Sequence, residues 1–175
     1  MRNDRVRLRD IVLADADLLE AWDTPEIHGE FNLFGMPRRP APREEMARGP
    51  LRNDHNGQMI VELVDDGTAI GTVSWRKVMY GPNPESAAWD IGISLVPEAR
   101  GKGYGTEAQR QLAAYLFEST AVNRVDAGTD VDNLAEQRSL EKAGFRREGI
   151  LRGSQYRAGA YHDLVVYSRL RDDPE

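Results

Sequence analysis

Arg100-Gly101-Lys102-Gly103-Tyr104-Gly105-Thr106 places glycine at every second position, between a strand-like run ending at Leu95-Val96 and a helix-like run. Glycine lacks a Cβ, so such a backbone can fold closely around a ligand and aim successive N–H groups at it. At the start of a helix those donors have no internal partners and the macrodipole is positive, which makes a site for a phosphate or pyrophosphate. The same turn also occurs in proteins with no ligand there. The stretch lacks the Gly-x-x-x-x-Gly-Lys spacing of a Walker loop. Gly103-Tyr104-Gly105-Thr106-Glu107-Ala108 does fit G-x-G-x-x-A, with Asp126 and Asp130 further on, so a dinucleotide-binding oxidoreductase stays open. That fingerprint belongs after the first strand of a βαβ unit, whereas here a long N-terminal half that reads as hairpins comes first.

The elements around the loop follow from periodicity. Trp89, Ile91, Ile93 and Leu95 alternate with Asp90, Gly92 and Ser94, which makes a strand with one apolar and one polar face running into the loop. Thr106 to Thr120 reads as a helix with Ala108, Leu112, Tyr115 and Leu116 in a stripe. Upstream, Val6 to Val12 is a strand, and Asp15 caps a short helix that Thr24-Pro25 ends. Glu26 to Pro42 is irregular and apolar, and Pro42 begins a helix through Arg48. Gln58 to Val64 and Ile70 to Tyr80 form a hairpin about Asp65-Asp66-Gly67. Downstream, Val125 to Gly128 is a short strand. Asn133 and Glu136 form a capping box on a helix that stops at Gly144, and Phe145 to Arg152 and Tyr161 to Leu170 are closing strands. The order β-α-α-β-β-β-α-β-α-β-β describes an α+β fold with a mixed, mostly antiparallel central sheet flanked by helices.

Composition narrows the function. The 175 residues suit a single domain, 1–175, with a sizeable core. There is no cysteine, hence no disulfide framework, thiolate metal site or thiol nucleophile, and no metal is expected. No apolar run is long enough to span a membrane, and no signal-peptide core follows Met1. A cytoplasmic location without membrane partners is expected, and a homodimer is left open. The net charge of −6 argues against nucleic acid and agrees with a cationic small substrate.

Four stretches, falling in the right order along the chain, resemble one family. Arg100-Gly101-Lys102-Gly103-Tyr104-Gly105 is similar to the R/Q-x-x-G-x-G/A loop of the GNAT superfamily of N-acetyltransferases. Asn133-Leu134-Ala135-Glu136 through Leu140-Glu141-Lys142-Ala143-Gly144-Phe145 resembles the N-x-x-S-x-x-x-L-E-K-x-G-F signature of its Rim-type branch, which contains the ribosomal-protein N-terminal acetyltransferases. Ala160 to Tyr167 looks like the closing strand of that branch, and Trp89-Asp90-Ile91-Gly92 its strand before the loop, with Asp90 where glutamate is usual. The resemblance covers nearly the whole chain. It implies a GNAT-like fold and transfer of an acetyl group from acetyl-CoA to a primary amine, on a small molecule or a protein N-terminus. Leu95, Val96, Arg100, Gly101, Lys102, Gly103, Tyr104, Gly105 and Thr106 would hold the cosubstrate, with Asn133 on its pantetheine arm or a water.

An amine must be neutral to attack a thioester. At pH 7 this costs a lysine-like amine roughly 4.6 kcal/mol and an α-amine only about 1. A carboxylate that removes a proton is therefore expected, and Asp90, on the polar face of the strand entering the loop, is the first candidate. Its alternative role is to hold a neighbouring backbone group or an arginine. The leaving thiolate needs a proton, but Leu140 stands where many superfamily members carry tyrosine, and Glu136 stands at the Rim-type serine. Glu136 is the remaining candidate acid if its helix cap does not occupy it. Tyr156, Tyr161 and His162 are substitutes. Without cysteine, an acetyl-cysteine intermediate is excluded and direct transfer in a ternary complex is the simplest route. The acceptor would lie against Phe31 and Phe34, with Trp75 and Tyr161 contributing. A catalytically inactive CoA-binding module remains the rival reading.

Overall fold

Among the described residues the alternating runs form seven strands: β1 (Val6–Asp10), β2 (Asn56–Leu63), β3 (Ala69–Met79), β4 (Ala87–Leu95), β5 (Arg124–Asp130), β6 (Arg146–Arg157) and β7 (Ala160–Leu170). They join one sheet in the order β1-β2-β3-β4-β5-β7-β6 in the computed structural model, which describes residues 4–32, 34 and 43–174. Among the described residues five α-helices accompany them: α1 (Ala16–Ala21), α2 (Pro25–His28), α3 (Arg43–Met46), α4 (Tyr104–Ser119) and α5 (Leu134–Lys142). Neighbouring strands are antiparallel except β4 and β5. A parallel pair needs a crossover, and the glycine loop with α4 supplies it.

This parallel seam is short. β4 and β5 pair only at Trp89–Val125, Asp90–Asp126 and Ile91–Ala127. Beyond these residues β4 runs on to Leu95 beside β3, and β5 runs on to Asp130 beside β7. The sheet therefore opens at its middle, just where the glycine loop begins.

The two faces of β4 set the layers. Trp89 and Ile91, with Val125 and Ala127 of β5, bury their side chains against Ala108, Leu112 and Leu116 of α4. On the opposite face a smaller cluster of Ile11, Ala16, Met46 and Ile60, with Leu19 and Trp22 against it, holds α1 and α3 over the β2 side. A polar strip from β3 and β4 (Ser74, Arg76, Asp90, Gly92, Ser94) is left facing a cavity.

Several boundaries differ from the sequence reading. Thr24-Pro25 starts a helix: the Thr24 hydroxyl accepts from the Ile27 N–H at 3.4 Å, and Pro25 is the first residue of α2. Proline is tolerated there because that N–H has no helical acceptor. Of the irregular stretch to Pro42 and the helix expected from it, residues 33 and 35–42 lie outside the described residues, and the helix is Arg43–Met46. β6 continues past Arg152 to Arg157, through register shifts, to a hairpin turn at Ala158-Gly159.

Candidate active site

The glycine loop ends at Gly103, which caps α4 in the left-handed region at φ +83°. Gly101 lies at φ +72°. These conformations are costly for residues with a Cβ, and they leave the N–H groups of Gly103, Tyr104, Gly105 and Thr106 without an acceptor among the described residues. Glu107, the acid in this first turn, is turned away: its carboxylate accepts from the N–H groups of Arg5 at 2.6 Å and Val6 at 3.0 Å. The unpaired amides border a cavity of about 500 Å³ in the opening between β4 and β5. Its walls include Ile93, Leu95, Arg100, Thr106, Asn133 and Glu136, and Arg138 and Lys142 add positive charge. A pyrophosphate with a long, narrow arm fits this donor set and shape.

Most of the residues expected to hold a cosubstrate line this cavity: Leu95, Arg100, Gly101, Gly103, Gly105, Thr106 and Asn133. Three do not. Val96 continues the sheet, donating its N–H to the Ile70 carbonyl at 2.9 Å. Lys102 presents its carbonyl, and Tyr104 its ring, to the Arg5 guanidinium on the outer side of the loop. Arg100 spends its donors on protein carbonyls: Leu95 at 3.0 Å, Glu26 at 2.9 Å and Ile27 at 2.6 Å. It thereby satisfies the last carbonyls of α2 and ties that helix to the loop. Ser94 of β4 adds a 3.2 Å bond to the Ile27 carbonyl.

Glu136 is not occupied with the helix cap. Asn133 accepts from the Glu136 N–H at 3.2 Å, but the Glu136 carboxylate reaches across to the Gln109 amide of α4. The box is half formed because Gln109 competes for the carboxylate. Gln109 is buried, and its other end takes the Ser139 hydroxyl at 3.2 Å, which in turn meets the Thr106 hydroxyl at 3.0 Å. Burial pushes the Glu136 carboxyl up from 4.5 to about 7, against the lowering effect of the Gln109 bond. A half-buried carboxyl of this kind, facing the cavity beside the glycine loop, can exchange a proton near neutral pH. Asn133 uses both ends of its side chain, the amide group donating to Thr129 at 3.0 Å.

A second cavity, of about 740 Å³, lies on the polar face of the sheet beneath α1 and α3. It and the first share Ile27, His28 and Ser94, so the two meet at the end of α2. Asp90 is in its wall and is held by Arg76, the residue opposite it on β3, with Nε and Nη2 at 2.8 and 2.7 Å from Oδ2. Asp126 lies beside Asp90 across the parallel seam. Burial raises its pKa, and the neighbouring Asp90 charge adds to the rise, while the Tyr80 hydroxyl at 2.8 Å and Arg124 oppose it.

The aromatic residues expected around an acceptor disperse. Trp75 is core, 5% exposed, packed edge-on against Tyr115, and only borders the second cavity. Phe31 lines the first cavity under the Arg157 guanidinium. Phe34 is exposed and borders neither cavity. Tyr161 is 74% exposed and stacks edge-on with Tyr156, away from both. His162 is engaged by Asp130 and Arg157. The sequence reading passed over His28 and Gln109. A proline at the first position of α2 was the signal for the former. Gln109, a polar residue inside the buried stripe of α4, was the signal for the latter.

Comparison with known proteins agrees with this geometry. The acetyltransferase (GNAT) domain family matches residues 5–146. An uncharacterised N-acetyltransferase of Bacillus licheniformis is 29% identical over 96% of this chain and 94% of its own length. A putative ribosomal N-acetyltransferase of Bacillus subtilis (strain 168) is 34% identical over 65% of this chain and 60% of its own length. The fold matches that of spermidine N-acetyltransferase from Vibrio cholerae, solved with CoA and spermine, at a TM-score of 0.77, with 19% identity and 98% of each chain covered. The chain belongs to the GNAT family and is an acetyl-CoA-dependent N-acetyltransferase.

Proposed function

We propose that the protein acetylates the α-amine of a peptide or protein N-terminus, by direct transfer with acetyl-CoA and acceptor bound together. The observation that carries this reading is the junction of the two cavities at Ile27, His28 and Ser94. A thioester laid along the first cavity from the glycine-loop amides meets an amine entering from the second. Both reactants can then be held in contact, which supplies much of the rate enhancement without a covalent enzyme intermediate. Glu136, protonated in part near neutral pH, gives its proton to the leaving sulfur.

The charges around the second cavity favour a peptide-like acceptor over a polyamine. Asp23 is paired with His28 and Asp90 with Arg76, while Arg52, paired with Asp10, and a single further carboxylate, Glu45, complete the charged wall. A polyamine needs several free carboxylates, whereas a peptide terminus offers one amine and a row of carbonyls that arginines can bind. The relative named as a putative ribosomal N-acetyltransferase supports the same class. Asp90 and Arg76 would serve here to seat the acceptor.

Thiol release from acetyl-CoA, measured with an alanine-initiated peptide and with spermidine, tests the proposal. The peptide is expected to give at least a tenfold higher kcat/KM. A preference for spermidine would overturn the acceptor class.

A further inference from the structure

We infer that His28, oriented by Asp23, is the base that takes the proton from the attacking amine; this rests on the acetyl-transfer reading above. His28 is the last residue of α2 and lines both cavities where they join. Its Nε2 lies 2.8 Å from Asp23 Oδ1, and the two side chains are only 16% and 22% exposed. A carboxylate on one ring nitrogen fixes the tautomer, with Nε2–H donating, and leaves the lone pair on Nδ1. Among the described residues nothing hydrogen-bonds Nδ1. The helix end that carries the ring is anchored three times, by Arg100 on the Glu26 and Ile27 carbonyls and by Ser94 on Ile27. Asp90, by contrast, gives Oδ2 to Arg76 on a cavity wall and does not border the cosubstrate cavity.

The step balances as follows. A neutral amine bonds through nitrogen to the thioester carbonyl carbon, and His28 Nδ1 takes one proton from that nitrogen. The carbon–sulfur bond breaks with its electron pair going to sulfur, and the Glu136 carboxyl protonates the sulfur. Solvent then carries the surplus proton on the imidazole to replace the one lost by Glu136, leaving amide and free thiol.

The charged groups that line the two cavities with the ring are Asp23 on its own segment, Glu45 from α3, Arg52 from the segment before β2, Arg76 and Asp90 from the sheet, Arg100 from the glycine loop, and Glu136, Arg138 and Lys142 from α5. The test must therefore separate His28 from the carboxylates. His28→Gln, Asp23→Asn and Asp90→Asn enzymes are compared for kcat from pH 6 to 9, using whichever of the alanine-initiated peptide and spermidine turns over faster. Acetyl-CoA affinity is read by calorimetry. His28→Gln should lower kcat about 100-fold at pH 7, regain part of that loss as rising pH supplies neutral amine without the ring, and leave acetyl-CoA affinity within about twofold. Asp23→Asn should lower kcat about tenfold with KM nearly unchanged, since it only orients the ring. Asp90→Asn should raise the acceptor KM and keep the wild-type pH profile. A His28→Gln enzyme with the wild-type pH profile, or an Asp90→Asn enzyme whose loss of kcat is relieved by rising pH, overturns the assignment. A wild type that releases no thiol with either amine overturns the transfer reading and the base together.

Discussion

Gly105→Ala separates the ligand-binding function of the glycine loop from its conformational demands. Gly105 lies in the first turn of α4 with no positive φ. A Cβ built there would stand 3.6 Å from Ile93 Cδ1 and Leu95 Cδ1 and 3.8 Å from Ser139 Oγ, ordinary contact distances. The fold therefore accepts it, and alanine in place of glycine inside a helix is worth up to about 1 kcal/mol. A rise in Tm of about 2–4 °C per kcal/mol is expected for a chain of this size. Yet those three neighbours all line the cosubstrate cavity, and so does Gly105 itself. The added methyl occupies the space beside the unpaired amides and should break at least one charge-assisted hydrogen bond, worth about 1.5–3 kcal/mol. Acetyl-CoA affinity should fall about 10- to 150-fold.

Gly103→Val probes the other property. Its φ of +83° strains a β-branched residue, at about 1–3 kcal/mol, and among the described residues the only close neighbour is the end of the flexible Arg5 side chain at 3.1 Å. Both stability and affinity should fall. Calorimetry with thermal denaturation reads both quantities for each variant. A stable Gly105→Ala protein with wild-type acetyl-CoA affinity would refute the placement of the pyrophosphate on the α4 amides.

Glu136→Gln should change the pH dependence of stability. The folded state holds a proton on Glu136 between pH 4.5 and about 7 that the unfolded chain has released, so this group's contribution is full below 4.5 and is lost as pH rises to 7. Denaturant titrations should show the variant gaining on wild type across that window by about 1–2 kcal/mol, allowing for partial exposure; a constant difference would place the carboxyl in solvent. Arg157→Met leaves the buried Asp130 carboxylate without its arginine partner, with only the His162 ring nearby at 3.5 Å, and frees the Glu30 carbonyl. It should cost about 3–5 kcal/mol. Adding Asp130→Asn, which keeps an acceptor for the Asp132 N–H, should restore at least half of that; a cost under about 1 kcal/mol for the single change would contradict the burial argument.

The sequence alone determined whatever depends on neighbours along the chain. Alternation marked β4 and its two faces, the apolar stripe marked α4, and glycine spacing marked the positive-φ turn that frees the α4 amides. All are set by backbone sterics and side-chain periodicity within a few residues. Only the tertiary structure decided what depends on residues far apart. Glu136 matched the capping pattern in sequence, but Gln109, twenty-seven positions away, takes its carboxylate and buries it. Asp90 read as a base on the polar face, yet the β3 register places Arg76 against it. Pro25 could mark only the start of α2; that His28 stands at the junction of the two cavities was decided by Arg100 and Ser94, more than sixty residues on, which anchor that helix. A carboxylate's proton affinity and an imidazole's tautomer are set by what lies within a few ångströms, and periodicity cannot report which distant residues the chain brings that close.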